Sequence, residues 1–127
     1  MVGKRILIVD DDAMVRESID IILRLDGHFL EQVEDGPSAL ERYQPAKYDV
    51  VLTDNRMPGM SGIELAAELK ARNPAQRVIL FSGSPPVQGS SVCDMILLKP
   101  FSAAELRKAV RNLASDSGAA PGLNPTA

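Results

Sequence analysis

Four stretches of this chain are unbroken apolar runs: Ile6–Val9, Val50–Leu52, Val78–Phe81 and Met95–Leu98. Runs this short and this uniformly apolar read as strands buried on both faces. That is the pattern of a parallel sheet rather than of an alternating, half-solvated one. Polar residues follow each run: Asp10-Asp11-Asp12, Asp54 just after Thr53, Ser82, and Lys99-Pro100. In a parallel sheet all strands point the same way, so groups at strand C-termini converge on one edge, where open α/β sheets hold their ligands. Carboxylates, a hydroxyl and an ammonium are therefore expected to share one crevice.

Between the runs the pattern turns helical. Residues 13–26 place Val15, Ile19 and Ile22 on one face, with Gly27 where a C-terminal cap belongs. Residues 37–44 open on Pro37 and pair Leu40 with Tyr43. Residues 61–72 and 102–114 open on Ser61 with Glu64 and on Ser102 with Glu105, both capping-box spacings. Phe29–Val33, interrupted by Glu31 and Gln32, reads as a weak strand suited to an edge. Strands alternating with helices imply right-handed crossovers and a doubly wound, five-stranded parallel α/β sheet ordered 2-1-3-4-5.

The chain of 127 residues is long enough for one domain with its own core. One cysteine, Cys93, excludes an internal disulfide, and a net charge of −3 gives no sign of nucleic-acid binding. No apolar run is long enough for a bilayer, and the first ten residues lead into a strand rather than a signal peptide. A soluble, cytoplasmic protein is expected, a monomer or weak dimer. Residues 115–127 are mostly Gly, Ala, Pro and Ser and read as a disordered tail after a domain at 1–114, with no room for an output domain.

Carboxylates at neighbouring strand ends repel one another unless a cation sits among them, and a hard ion such as Mg²⁺ suits that donor set. The same acids also suit a helix N-terminus, and Asp12 is placed as an N-cap. Lys99 at a strand end would set an ammonium beside the acids; a lysine snorkelling to the surface is the plainer alternative. Ser82-Gly83 offers an unobstructed hydroxyl or simply a turn. Cys93 and His28 lack partner spacing and read as a small buried side chain and a loop residue.

Three segments carry a resemblance. Ile6 through Asp12, Asp54-Asn55-Arg56-Met57-Pro58-Gly59-Met60-Ser61-Gly62 and Lys99-Pro100-Phe101 resemble the receiver (CheY-like) domain of bacterial two-component response regulators, a flavodoxin-like fold. The match runs from residue 4 to about 114. The resemblance implies that Asp54 accepts a phosphoryl group from a histidine kinase or histidine phosphotransfer protein. It implies that Asp10, Asp11, Asp54 and the main-chain carbonyl of Arg56 hold Mg²⁺. Lys99 would contact the phosphoryl oxygens, and Ser82 would supply the hydroxyl that closes on them. A downstream target protein would then read the change by contact.

Two features depart from the family. Ile96 stands where the family usually carries an aromatic switch residue. Only residues 83–94 separate the last two strands, with Pro85, Pro86 and Gly89 among them, so the fourth helix of the usual pattern is expected short or missing, and residues 84–92 irregular. A stand-alone phosphoacceptor, rather than an enzyme acting on a free substrate, is the expected function. The alternative is a pseudo-receiver, an interaction module without a phosphorylation cycle.

Overall fold

Strands β1 (Arg5–Val9), β2 (Phe29–Val33), β3 (Val50–Asp54), β4 (Arg77–Ser82) and β5 (Met95–Leu98) form one parallel sheet in the order 2-1-3-4-5. The structure is a computed structural model that describes residues 3–83 and 89–117. Val9 pairs with Thr53, Asp54 with Phe81 and Ser82 with Leu98, so the polar residues that follow the apolar runs gather along one edge.

Four helices cover the sheet: α1 (Ala13–Leu25), α2 (Gly36–Arg42), α3 (Gly62–Arg72) and α4 (Ala103–Ser117). Alternation along the central strands divides the core. Ile6, Ile8, Leu52, Ile79 and Phe81 face Ile19 and Leu23 of α1 and Leu106, Val110 and Leu113 of α4. Leu7, Val9, Val51 and Val78 face Ala39 of α2, Leu65 and Leu69 of α3, and the rings of Tyr43 and Tyr48. Leu23, which the sequence pattern passes over, is a fully buried anchor of α1.

Local chemistry sets the helix ends. The Asp12 side chain accepts from the amides of Met14 and Val15 and caps α1; Gly27, at φ +88°, ends it in a conformation that favours glycine. Ser61 and Glu64 form the reciprocal capping box of α3. Ser102 and Glu105 make the same two bonds at the start of α4. Gly36 lets α2 start against Met60, since a β-carbon there would lie 2.6 Å from the Met60 sulfur.

Two expectations are corrected. The run Met95–Leu98 is not buried on both faces: its first three residues are half-buried and Leu98 is 51% exposed. β5 is an edge strand, and between β4 and β5 the described residues carry only a 3₁₀ turn, Ser90–Val92. Met95 and Leu97 pack on the α1–α4 side, which leaves Ile96 and Leu98 on the thinly covered face. The short fourth crossover is thus as expected, while residues 84–88 of the stretch read as irregular lie outside the described residues. The second correction concerns the C-terminus. α4 runs to Ser117, past the helix end expected at 114; residues 118–127 of the stretch read as a tail lie outside the described residues.

Candidate functional site

The crevice at the C-terminal edge of the sheet is built from three strand ends and a loop. Asp10, the first residue after β1, is 1% exposed, and its Oδ1 accepts the Asp12 amide at 2.8 Å. Its Oδ2 is buried and has no hydrogen-bond partner. Asp11 beside it is exposed, and Asp54 at the end of β3 is 8% exposed. One carboxylate oxygen from each of the three lies within 4.8 Å of the others. Burial pushes the Asp10 carboxyl up to about 6, against the pull of the Asp12 amide, and the neighbouring Asp54 adds to the rise.

Lys99 enters from the end of β5, and its Nζ lies 2.9 Å from Asp54 Oδ1. The Lys99–Pro100 peptide is cis, and the Lys99 amide donates to the Ser82 carbonyl at 2.7 Å. Ser82, 6% exposed, ends β4, which lies between β3 and β5. Asp54, Asn55, Arg56, Ser82, Gly83 and Lys99 line a cleft of about 300 Å³. Snorkelling is thereby set aside for Lys99, whose ammonium points at a carboxylate.

The loop after β3 is closed on itself. The Gly62 amide donates to the Asn55 carbonyl at 3.0 Å, and the Ile63 amide to Asn55 Oδ1 at 3.3 Å. A β-carbon at Gly62 would collide with the Asp54 carbonyl oxygen, so α3 can begin this close to the strand only on glycine. Arg56 follows Asn55 in this loop, exposed at the cleft.

A hard divalent cation fits this arrangement. The donors are all oxygen, they converge from different segments, and the Asp10 oxygen without a partner is a buried acceptor of the kind an ion satisfies.

The family model for the response regulator receiver domain matches residues 6–111. The chain belongs to the response regulator receiver domain family. It is 36% identical over 112 residues to the DNA-binding response regulator MtrA of Mycolicibacterium paratuberculosis, a match that covers 85% of this chain and 50% of MtrA. The receiver thus spans about half the length of the curated relatives it matches. Among solved structures it superposes on response regulator TrrA of Thermotoga maritima, in complex with Mg²⁺ and BeF, with a TM-score of 0.81 and 33% identity. That match covers 87% of this chain and 98% of TrrA. The complex of histidine kinase ThkA with TrrA gives a TM-score of 0.80 at 33% identity, covering 87% of this chain and 97% of the other.

Of the candidate site residues, Asp10, Asp11, Asp54, Arg56, Ser82 and Lys99 lie at this edge, while Ile96 sits three residues before Lys99, within β5 and opposite Leu80. Asp12 caps α1, as its alternative reading had it. Cys93 is half-buried, and burial pushes its thiol up to about 11. His28 lies in the connection between α1 and β2, as read, and is buried there, with Nδ1 accepting the Lys4 amide at 3.0 Å.

The sequence reading missed Arg16, which donates to the Asp10 carbonyl at 2.6 Å, and Thr53, whose Oγ1 donates to the Asp54 carbonyl at 2.9 Å. For Arg16 the available signal was its position on α1, one turn past the acids. For Thr53 it was the single polar residue inside a buried strand.

Proposed function

We propose that this receiver accepts a phosphoryl group on Asp54 from the phosphohistidine of a histidine kinase or phosphotransfer protein, and passes the signal to a downstream target protein by contact. The observation that supports it best is the set of groups around Asp54. A nearly buried carboxylate sits against an ammonium at 2.9 Å, with two further carboxylates on one side and a hydroxyl-bearing strand end on the other. Phosphoryl transfer asks for positioning and for neutralisation of charge on the transferred oxygens more than for covalent help.

In this reading a carboxylate oxygen of Asp54 attacks phosphorus in line, the P–N bond to the donor imidazole breaks, and the product is an acyl phosphate. Lys99 holds Asp54 in place beforehand and then follows the new negative charge on the phosphoryl oxygens. Ser82 donates to the same oxygens, and that movement is carried into the segment after β4. Asp10, Asp11, Asp54 and the Arg56 carbonyl would hold Mg²⁺, which when bound offsets the charge of the acids and of the entering group. The receiver is a phosphoacceptor that assists its own transfer and hydrolysis, and it acts in the cytoplasm. Among the described residues no helix is long and apolar enough to cross a membrane.

TrrA, at 33% identity, is seen both with Mg²⁺ and BeF and with a histidine kinase, which supports the same ion and the same class of donor here. MtrA is named as DNA-binding, but the match takes in half of it. DNA binding is therefore not carried over, and the stand-alone organisation expected from the sequence is no part of this proposal.

Incubation with acetyl phosphate and Mg²⁺, followed by intact mass, tests the reading. One added phosphoryl group, lost in Asp54→Asn, is expected. The second reading, a pseudo-receiver, draws on Ile96 in place of an aromatic and on the single 3₁₀ turn before β5. An unchanged mass with both acetyl phosphate and a phosphohistidine donor would favour it.

A further inference from the structure

Arg16 is a cation one turn into α1, and it forms no ion pair with a carboxylate among the described residues. Its Nη1 instead donates to the main-chain carbonyl of Asp10 at 2.6 Å. Its Nε donates to Gln32 Oε1 at 3.2 Å. Gln32 lies on β2, in register with Ile8 two residues before Asp10. The other end of the Gln32 amide is used as well: Nε2 donates to Asp20 Oδ2 at 2.8 Å and reaches Glu17 Oε2 at 3.4 Å. Asp20 is 9% exposed and is gripped from its far side by Arg24, with contacts of 2.8 Å and 3.2 Å.

This arrangement has a direction. Arg24 fixes Asp20, Asp20 fixes which way the Gln32 amide faces, and Gln32 presents an oxygen that orients the guanidinium. The guanidinium then grips the backbone at the point where β1 turns into the acidic run. A charge-assisted bond to a carbonyl restrains that turn without occupying any carboxylate oxygen. Had Arg16 paired with Asp10 directly, it would have filled the place of a cation.

We propose that Arg16, oriented by Gln32, is a positioning residue for divalent-ion binding: it holds the Asp10 main chain so that the Asp10 and Asp11 carboxylates converge with Asp54. The role rests on the reading of the crevice as an ion site. It also accounts for Gln32, a polar interruption of β2 that an exposed edge alone does not require.

The test is Mg²⁺ titration of the whole chain, followed by the amide resonances of Asp12 and Asp54, with thermal unfolding of the metal-free protein alongside. Outer partners of metal ligands commonly contribute tenfold or more to affinity, so Arg16→Ala is expected to weaken Mg²⁺ binding about tenfold. Arg16→Lys, which restores one donor, should recover part of the loss. Gln32→Ala, remote from the crevice, should fall between wild type and Arg16→Ala. The Asp12 amide resonance should move in all three before any metal is added.

Lowered thermal stability with unchanged Mg²⁺ affinity would overturn the proposal, because a merely structural arginine behaves that way. Should Arg16→Ala not fold, wild-type affinity in both Arg16→Lys and Gln32→Ala would overturn it equally. A wild-type protein that shows no response to Mg²⁺ removes the ion site itself, and this failure is distinct because it appears before any substitution is made.

Discussion

The two walls of the crevice are built to different standards. The acidic wall rises from β1 and β3, central strands whose apolar residues are fully buried, and from α1, capped by Asp12 and ended at Gly27. The opposite wall, Ser82 and Lys99, rises from β4 and the half-buried edge strand β5, joined among the described residues by a 3₁₀ turn. Where helix packing is thin, charge takes over. Asp94 Oδ2 accepts Lys70 Nζ at 2.6 Å and the Val78 amide at 2.7 Å, its Oδ1 lies 3.5 Å from Arg77 Nη1, and its own amide donates to the Val78 carbonyl. One aspartate thus ties the start of β5 to β4 and α3. The contrast fits the proposed phosphoacceptor role, in which the acids would stay still while the hydroxyl and lysine followed the phosphoryl group. Loops with fewer buried apolar contacts open at lower cost.

The largest effect is expected at Asp54, the one residue both walls share. Asp54→Asn should remove all labelling by acetyl phosphate while leaving the fold intact, as read by intact mass and circular dichroism. The carboxamide is nearly isosteric, and the lost ion pair is with a partly exposed lysine. Labelling that persists at another aspartate would break the assignment.

The sheet order and the gathering of polar strand ends were legible in the sequence, and the reason is physical. Strand runs, capping boxes and Gly27 are local signals, and local signals survive in a sequence. The convergence of Asp10, Asp54, Ser82 and Lys99 follows from parallel direction alone. What stayed hidden depends on pairing between distant segments. Asp94 meets Lys70 across 24 positions, and Arg16 meets Gln32 across 16; neither spacing carries a pattern. The exposure of β5 was hidden for another reason: an apolar run shows what a strand would bury, not whether a helix arrives to cover it.

Asp94 is the residue at which the second wall can be loosened alone. Asp94→Ala leaves Lys70 half-buried without its partner and the Val78 amide without its acceptor, a loss of about 2 kcal/mol. Urea unfolding should report that loss, and hydrogen exchange should speed up in residues 89–98 while α1 keeps its protection. Mg²⁺ affinity should hold, because no acid of the crevice has moved. An equal loss of protection in α1 would mean that the two walls are one cooperative unit.

The acidic wall carries its own strain, and pH exposes it. Folded, Asp10 keeps its proton up to about pH 6, against an ordinary value of 3.8 in the unfolded chain. Between those values the folded state binds more protons, so this residue's contribution is most favourable below about 3.8 and is lost as pH rises through 6. Metal-free Asp10→Asn should therefore be more stable than wild type at pH 7, by at most about 3 kcal/mol, with the advantage shrinking toward pH 4. Saturating Mg²⁺ should narrow the gap by stabilising the wild type. A metal-free variant less stable than wild type at pH 7 would contradict the burial account.

The smallest effect separates neighbours. Asp12 accepts the Met14 amide at 2.9 Å and the Val15 amide at 3.4 Å, so its carboxylate is engaged at the start of α1. Asp11 is exposed, and its oxygen is one of the three that converge in the crevice. Asp12→Ala should cost about 1 kcal/mol through the lost cap and change Mg²⁺ affinity little. Asp11→Ala should do the reverse, holding the unfolding midpoint of the metal-free protein and weakening Mg²⁺ binding. Adjacent aspartates then have opposite signatures in two measurements, unfolding without metal and titration with it. Matching losses in both measurements for both variants would mean that the acidic run is shared between cap and crevice, and that the acidic wall is less firmly set than its buried strands suggest.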